Sequence, residues 1–338
     1  MQVVYRPGTS AADAGGLARP SLLWRDGMGW DLYVSGLGGD RVWRVVRATT
    51  PGPAPLDFRP AGPVLEPGPP LPGDPVVEVG VRSPCATATA DGGVLLLHAA
   101  DDGQRSHLRS AWLPATPTGL LAPEWQRLGT VLAAGEPGAA DAAGCDHPAL
   151  LALSGMRRLY YTALDGTMRG GAQVAEGGSA CGGAQVAEGG SAPGGRIALA
   201  TGRAGEPWTR HGVVIGLGEP GQPDAAGARA PAVAVVGATV LLHHTAQAED
   251  GALRILAARS DDGFSFERLG PVTPVGWMDP AVAAGGDGQR WLAAVVDGAV
   301  VVERLGSGRV VGPQAGRRPV GRVVRALVRP DPLRIGWV

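Results

Sequence analysis

The chain contains no lysine and no asparagine, and all 30 of its basic residues are arginine. A very GC-rich coding sequence accounts for this bias. Without lysine there is no Schiff-base nucleophile and no P-loop phosphate anchor; without asparagine there is no N-glycosylation acceptor. Cysteine is scarce. Cys85, Cys145 and Cys181 form no Cys-x-x-Cys pair, which excludes zinc-ribbon and dithiol redox motifs, and an odd, sparse set points to a reducing compartment. No apolar run approaches the roughly 18–20 residues needed to span a bilayer. The opening MQVVYRPGTSAADAGG has no charged region followed by an apolar one, as a secretory signal would. These absences predict a soluble, cytoplasmic protein. The formal net charge is −1 with the arginines dispersed, so neither nucleic acid nor an anionic membrane is an expected partner.

Segments with a helical apolar period and caps are few. Glycine (55) and proline (30) are abundant instead, and they punctuate short apolar runs, the pattern of many strands joined by tight turns. The runs repeat. Five segments share one layout: an x-Pro step, a short apolar strand, a Gly or Asp turn, and a second apolar strand. They are LARPSLLWRDGMGWDLYVSG, VRSPCATATADGGVLLLHAA, CDHPALLALSGMRRLYYTAL, ARAPAVAVVGATVLLHHTA and WMDPAVAAGGDGQRWLAAVV, aligned on Pro20, Pro84, Pro148, Pro231 and Pro280. Third and fourth strands follow, most clearly in 196–215 and 254–272.

Four antiparallel strands per unit and five units predict an all-β, five-bladed β-propeller forming one domain. The expected blades are roughly 15–75, 76–135, 140–217, 222–274 and 275–312, with the N-terminal QVVY adding a strand to the last blade and closing the ring. Within blade three, GGAQVAEGGSAC (170–181) is followed by its near copy GGAQVAEGGSAP (182–193). Its low complexity predicts a mobile surface loop over 170–195. Residues 313–338 read as extra C-terminal strands.

The repeated x-Pro starts, the Leu159–Ala163 second strand (LYYTA), and the turns Ala-Thr-Gly-x-x-Gly-x-x-Trp (200–208) and Ala-Arg-Ser-x-x-Gly-x-x-Phe (258–266) carry a resemblance. Over roughly residues 15–305 the chain resembles the five-bladed glycoside hydrolase superfamily of arabinanases and xylosidases, invertase-type enzymes and mannoside phosphorylases. The resemblance implies that residues beside each Pro face a shared axial funnel, with Asp before Pro in early blades and a Glu acid in a middle blade. It also implies a structural calcium in some relatives; no other cofactor is expected.

The chain departs from that pattern. The residues before Pro are Arg19, Ser83, His147, Ala230 and Asp279, and one position earlier stand Ala18, Arg82, Asp146, Arg229 and Met278. Acids remain only as Asp146 and Asp279. Glycoside hydrolysis needs two carboxyl groups, about 5–5.5 Å apart for retention or about 6.5–9.5 Å for inversion. The candidate catalytic residues are therefore Asp146, Asp279, His147 and His244. His98, Tyr161 and His244 align at the same place on three second strands, and His98 and Tyr161 are read as substrate contacts. Arg19, Arg82 and Arg229 suit a carboxylate, a phosphate or sugar hydroxyls, or else inter-blade ion pairs. Trp30, Trp277 and Tyr160 suit a sugar platform, while Trp208 and Phe266 read as blade packing. Asp146 and Asp279 also fit plain turn capping, and no metal-ligand spacing stands out.

Three functions stay open: a glycosidase acting on a sugar or glycosylated small molecule by carboxylate and histidine general acid–base chemistry; an enzyme on the same scaffold tailoring a non-sugar metabolite; and a non-catalytic small-molecule-binding propeller.

Overall fold

In the computed structural model, residues 1–116, 121–153, 155–165, 195–203 and 205–306 are described. The duplicated segment 170–193 and the expected C-terminal strands at 313–338 lie outside them. Strand β1 (Gln2–Tyr5) is followed by four complete antiparallel units. The first is β2 (Gly16–Arg25), β3 (Gly29–Leu37), β4 (Trp43–Thr50) and β5 (Arg59–Leu65); the second is β6 (Gly80–Ala88), β7 (Val94–Asp101), β8 (Ser106–Leu113) and β9 (Gln126–Leu132). The third is β10 (Gly144–Leu153), β11 (Met156–Leu164), β12 (Arg196–Gly202) and β13 (Thr209–Ile215); the fourth is β14 (Gly227–Val236), β15 (Thr239–Gln247), β16 (Leu253–Ser260) and β17 (Glu267–Pro271). The last unit, β18 (Trp277–Ala284), β19 (Arg290–Val296) and β20 (Ala299–Arg304), takes β1 as its outer strand, in antiparallel register with Val3 opposite Val301.

The first strands touch in a closed cycle, β2 to β6 to β10 to β14 to β18 and back to β2. Five buried apolar clusters fill the five spaces between neighbouring units. Tyr33, Val45, Leu96 and Ala111 join units one and two; Leu97, Leu108, Leu159 and Ala198 join two and three. Tyr160, Leu199, Leu242 and Ala258 join three and four, Ile255 with Leu292 and Val301 joins four and five, and Trp30, Leu32, Ala293 and Val302 join five and one. The fold is thus a β-propeller. Each blade is covered on both faces, which is why β3, β7 and β15 are buried along almost their whole length rather than alternately, while the outer strands β5 and β13 face solvent. The two repeated turns serve packing: Gly202 lies against the Trp208 ring, and Phe266 meets Tyr160 edge-on at 5.8 Å.

Each inner strand breaks register at its x-Pro step, between Ala18 and Ser21, Arg82 and Cys85, Asp146 and Ala149, Arg229 and Ala232, and Met278 and Ala281. Proline has no N–H for the ladder, so it sits in a bulge. The residue before it is left-handed in every blade, with φ of 56° at Arg19, 55° at Ser83, 49° at His147, 51° at Ala230 and 54° at Asp279. Such a conformation costs a non-glycine residue about 1–3 kcal/mol and persists only when its surroundings fix it. Hydrogen bonds do so here. The N–H of Ser83 donates to Ser35 Oγ (2.8 Å), that of Ala230 to Thr162 Oγ1 (2.9 Å) and that of Asp279 to Thr245 Oγ1 (2.7 Å), each hydroxyl belonging to the second strand of the preceding blade. The N–H of Arg19 donates to Asp279 Oδ2 (3.2 Å) and that of His147 to Asp146 Oδ1 (2.7 Å).

Candidate functional site

The five bulges converge on the axis. Arg19, Ser83, His147, Ala230 and Asp279, with the five prolines that follow them, line one cavity of about 30 Å³. That space holds one or two waters, or the head group of a larger molecule, but not a sugar ring. Arg19 is partly exposed, so the cavity communicates with solvent.

Asp146 lies beside this mouth and faces inward. It accepts from Ser83 Oγ (2.5 Å), Arg82 Nε (3.1 Å) and the His147 N–H (2.7 Å), and Arg82 also reaches Asp101 Oδ2 at 3.1 Å. Burial opposes charge on Asp146, but the surrounding positive groups and the Ser83 hydroxyl outweigh it and hold the carboxyl well below the usual range. A group fixed as the anion cannot protonate a leaving group. Asp279 is the one carboxylate lining the cavity.

His147 accepts from Arg19 Nε at 2.5 Å through Nε2. Burial first, then the charges of Arg19, Arg229 and Arg82, push its pKa well below the ordinary imidazole value against the pull of Asp146. It is a neutral ring with its proton on Nδ1, and that atom has no hydrogen-bond partner among the described residues. Arg229 is close enough to Asp279, Arg19 and Asp146 to feel their charges, and burial lowers its pKa. It makes no hydrogen bond or ion pair among the described residues.

The structure therefore brings Arg19, His147 and Asp279 to the cavity, with Arg82, Asp146 and Arg229 next to it. It does not bring His98, Tyr161, His244, Trp30 or Trp277 there, and these five readings are corrected. Successive strand residues face opposite sides. On β11 and β15 the residue that reaches the axis is Thr162 or Thr245, so the preceding Tyr161 or His244 lies on the opposite face of its strand, Tyr161 in the seam between blades two and three. Tyr161 Oη donates to Asp141 Oδ2 (2.8 Å), which also accepts from Arg210 Nε (3.0 Å). His244 Nε2 lies 3.9 Å from Asp224 Oδ2, which accepts from Arg268 Nε (2.8 Å). His98 Nε2 lies 3.5 Å from Glu78 Oε1, held by Arg109 (2.8 Å) and by Arg127. The shared column is thus a repeated anchor, in which a fourth-strand Arg holds a buried acid on the connecting loop and a second-strand His or Tyr packs beside it, bonded to it in the case of Tyr161. Trp30 Nε1 donates to the Pro53 carbonyl (3.0 Å) in the seam between blades five and one, and Trp277 packs with Ile255 and Leu292 between blades four and five. Tyr160 donates to the Gly263 carbonyl (2.8 Å) and is no platform.

The anchor had a sequence signal. Asp-Ala-(Ala/Gly)-Gly begins six residues before the x-Pro residue at Asp13, Asp141 and Asp224. In Gly135–Asp141 and Gly218–Asp224 the loop closes so tightly that a Cβ on either glycine would lie 2.1 Å from the carboxylate Oδ1.

The residues at the axis do not fit calcium. That ion takes six to eight oxygens, whereas the mouth offers one carboxylate among arginines, and no group of three His, Cys, Asp or Glu side chains suits a metal among the described residues. No described helix is long and apolar enough to cross a membrane.

The β-propeller fold is shared with solved glycoside hydrolase structures. A glycosyl hydrolase from Bacteroides ovatus superposes with a TM-score of 0.62 at 12% identity, covering 91% of this chain and 92% of that one. A thermostable family-43 glycoside hydrolase gives 0.58 at 13% identity, covering 94% and 98%. Sucrose-6-phosphate hydrolase from Lactobacillus gasseri gives 0.60 at 14% identity, covering 92% of this chain and 62% of that one. No protein-family model and no curated protein matches the sequence.

Proposed function

We propose that this chain is a glycosidase-like propeller that binds a small polar molecule at its axial mouth without the two-carboxylate hydrolysis that the fold hosts elsewhere. The observation that carries this reading is the fate of the two surviving acids. Asp146 is saturated by Arg82, Ser83 and the His147 amide, and Asp279 alone reaches the cavity. Paired-carboxyl chemistry needs both groups at the substrate. The unpaired Cys85 and Cys145 are consistent with a reducing, cytoplasmic setting.

The test is a calorimetric and thermal-shift screen of sugars, sugar acids and phosphates, run beside an aryl-glycoside hydrolysis assay. Saturable binding with no turnover is expected. Hydrolysis that Asp279→Asn and Asp146→Asn each abolish would overturn the reading in favour of a glycosidase. A second reading rests on neutral His147 in the same cavity as Asp279: the pair could move a proton on a bound metabolite. It predicts turnover of a non-sugar ligand found in the screen, lost in His147→Gln.

A further inference from the structure

The charges around the mouth balance, with Arg19, Arg82 and Arg229 against Asp101, Asp146 and Asp279, but their donors and acceptors are unevenly used. Arg82 is satisfied by Asp146 and Asp101, and those groups close on one another. What remains is Arg19, Arg229, neutral His147 and Asp279. Arg19 gives its Nε to His147 and its backbone N–H to Asp279, and neither of its Nη groups has a hydrogen-bond partner among the described residues. Arg229 is free altogether among the described residues. Asp279 accepts one backbone bond through Oδ2, which leaves Oδ1 open. Arg229, next to Ala230 of the cavity wall, is close enough to feel the charges of Asp279, Arg19 and Asp146. Ala230 is the smallest of the five residues that precede the prolines around the cavity.

Two forks of planar donors match one carboxylate, and the single open acceptor beside them matches a hydroxyl donor. The cavity admits a head group rather than a ring, so the rest of the ligand lies outside the mouth. We propose that the mouth takes a small hydroxycarboxylate of the sugar-acid class, its carboxylate on Arg19 and Arg229 and a neighbouring hydroxyl on Asp279. This rests on the small-molecule reading above and names its ligand class.

Isothermal titration calorimetry on the full chain, with D-glucuronate, D-glucose and inorganic phosphate as probes, tests it. D-glucuronate is expected to bind, and more tightly than either other probe. Loss of a charge-assisted pair predicts that Arg229→Met weakens D-glucuronate about tenfold or more, with Arg229→Lys intermediate. Melting curves of both variants establish that they fold, and the lysine variant keeps the comparison informative if the methionine variant does not. Glucose bound as tightly as glucuronate overturns the inference while leaving the small-molecule reading intact. Phosphate bound as tightly as glucuronate overturns it too, since the mouth would then read charge alone. Failure of all three probes, together with every compound in the wider screen, overturns both.

Discussion

Replacing Tyr161 with phenylalanine separates an anchor from a binding residue. The phenol is 1% exposed, its oxygen donates to an Asp141 that is 3% exposed, and burial together with Cys145 and Asp141 raises its pKa, so it stays a donor at every pH of interest. The substitution keeps the ring and its packing against Leu159 and Ala198. A hydrogen bond to a charged acceptor is worth about 1.5–3 kcal/mol. Asp141 keeps Arg210 and the Cys145 thiol as partners, so the lower part of that range applies, about 1.5–2 kcal/mol, or roughly a 10- to 30-fold shift of the folding equilibrium. Urea unfolding is the assay, and a lower midpoint at unchanged slope is the expected form of the loss. Ligand affinity at the mouth should stay the same. An unchanged midpoint with weakened binding would return Tyr161 to the axis and refute the argument. Tyr161→His should be milder than Tyr161→Phe, because blades two and four already use histidine in this place.

Four further outcomes follow from other contacts. Burial lowers the folded pKa of His98, His147, His243 (to about 4) and His244. As pH falls below the unfolded value of about 6.5 the unfolded chain takes up these protons first, so stability should drop by about 1.4 kcal/mol per pH unit for each proton; melts that do not change between pH 7 and pH 5.5 would contradict this. Asp146 works in the same direction at lower pH: its contribution is complete above the unfolded carboxyl pKa and is lost as pH falls through its depressed folded value. Thr162→Val orphans the buried Ala230 amide at a left-handed residue and should cost about 1–3 kcal/mol, read by urea unfolding. Gly218→Ala puts a methyl 2.1 Å from Asp224 Oδ1, so a lowered melting temperature is expected, whereas alanine at Gly216, where the added Cβ meets nothing within 4 Å, should be tolerated.

Much of the fold was legible because its determinants are local. An x-Pro step followed by apolar runs and Gly or Asp turns marks each blade, and five such steps reveal the repeat. The site was legible only where the backbone itself points inward, at Arg19, His147 and Asp279. On the second strands a slip of one residue reverses the face, and the alignment of His98, Tyr161 and His244 carries no sign of which way they point. Their likeness came from a shared partner, the acid at Glu78, Asp141 or Asp224, which only the fold brings near. The bonding of Asp146 was equally hidden, because Arg82 and Ser83 come from another blade.

The left-handed steps at Ser83, Ala230 and Asp279 are held by hydroxyls on neighbouring strands, whereas those at Arg19 and His147 are held by the carboxylates of Asp279 and Asp146. At Ser83 and Ala230 scaffold and chemistry are therefore uncoupled, and those seats can change side chain while the rim keeps its shape; at Asp279 they are joined, because the carboxylate that lines the cavity also holds the Arg19 amide in the neighbouring blade.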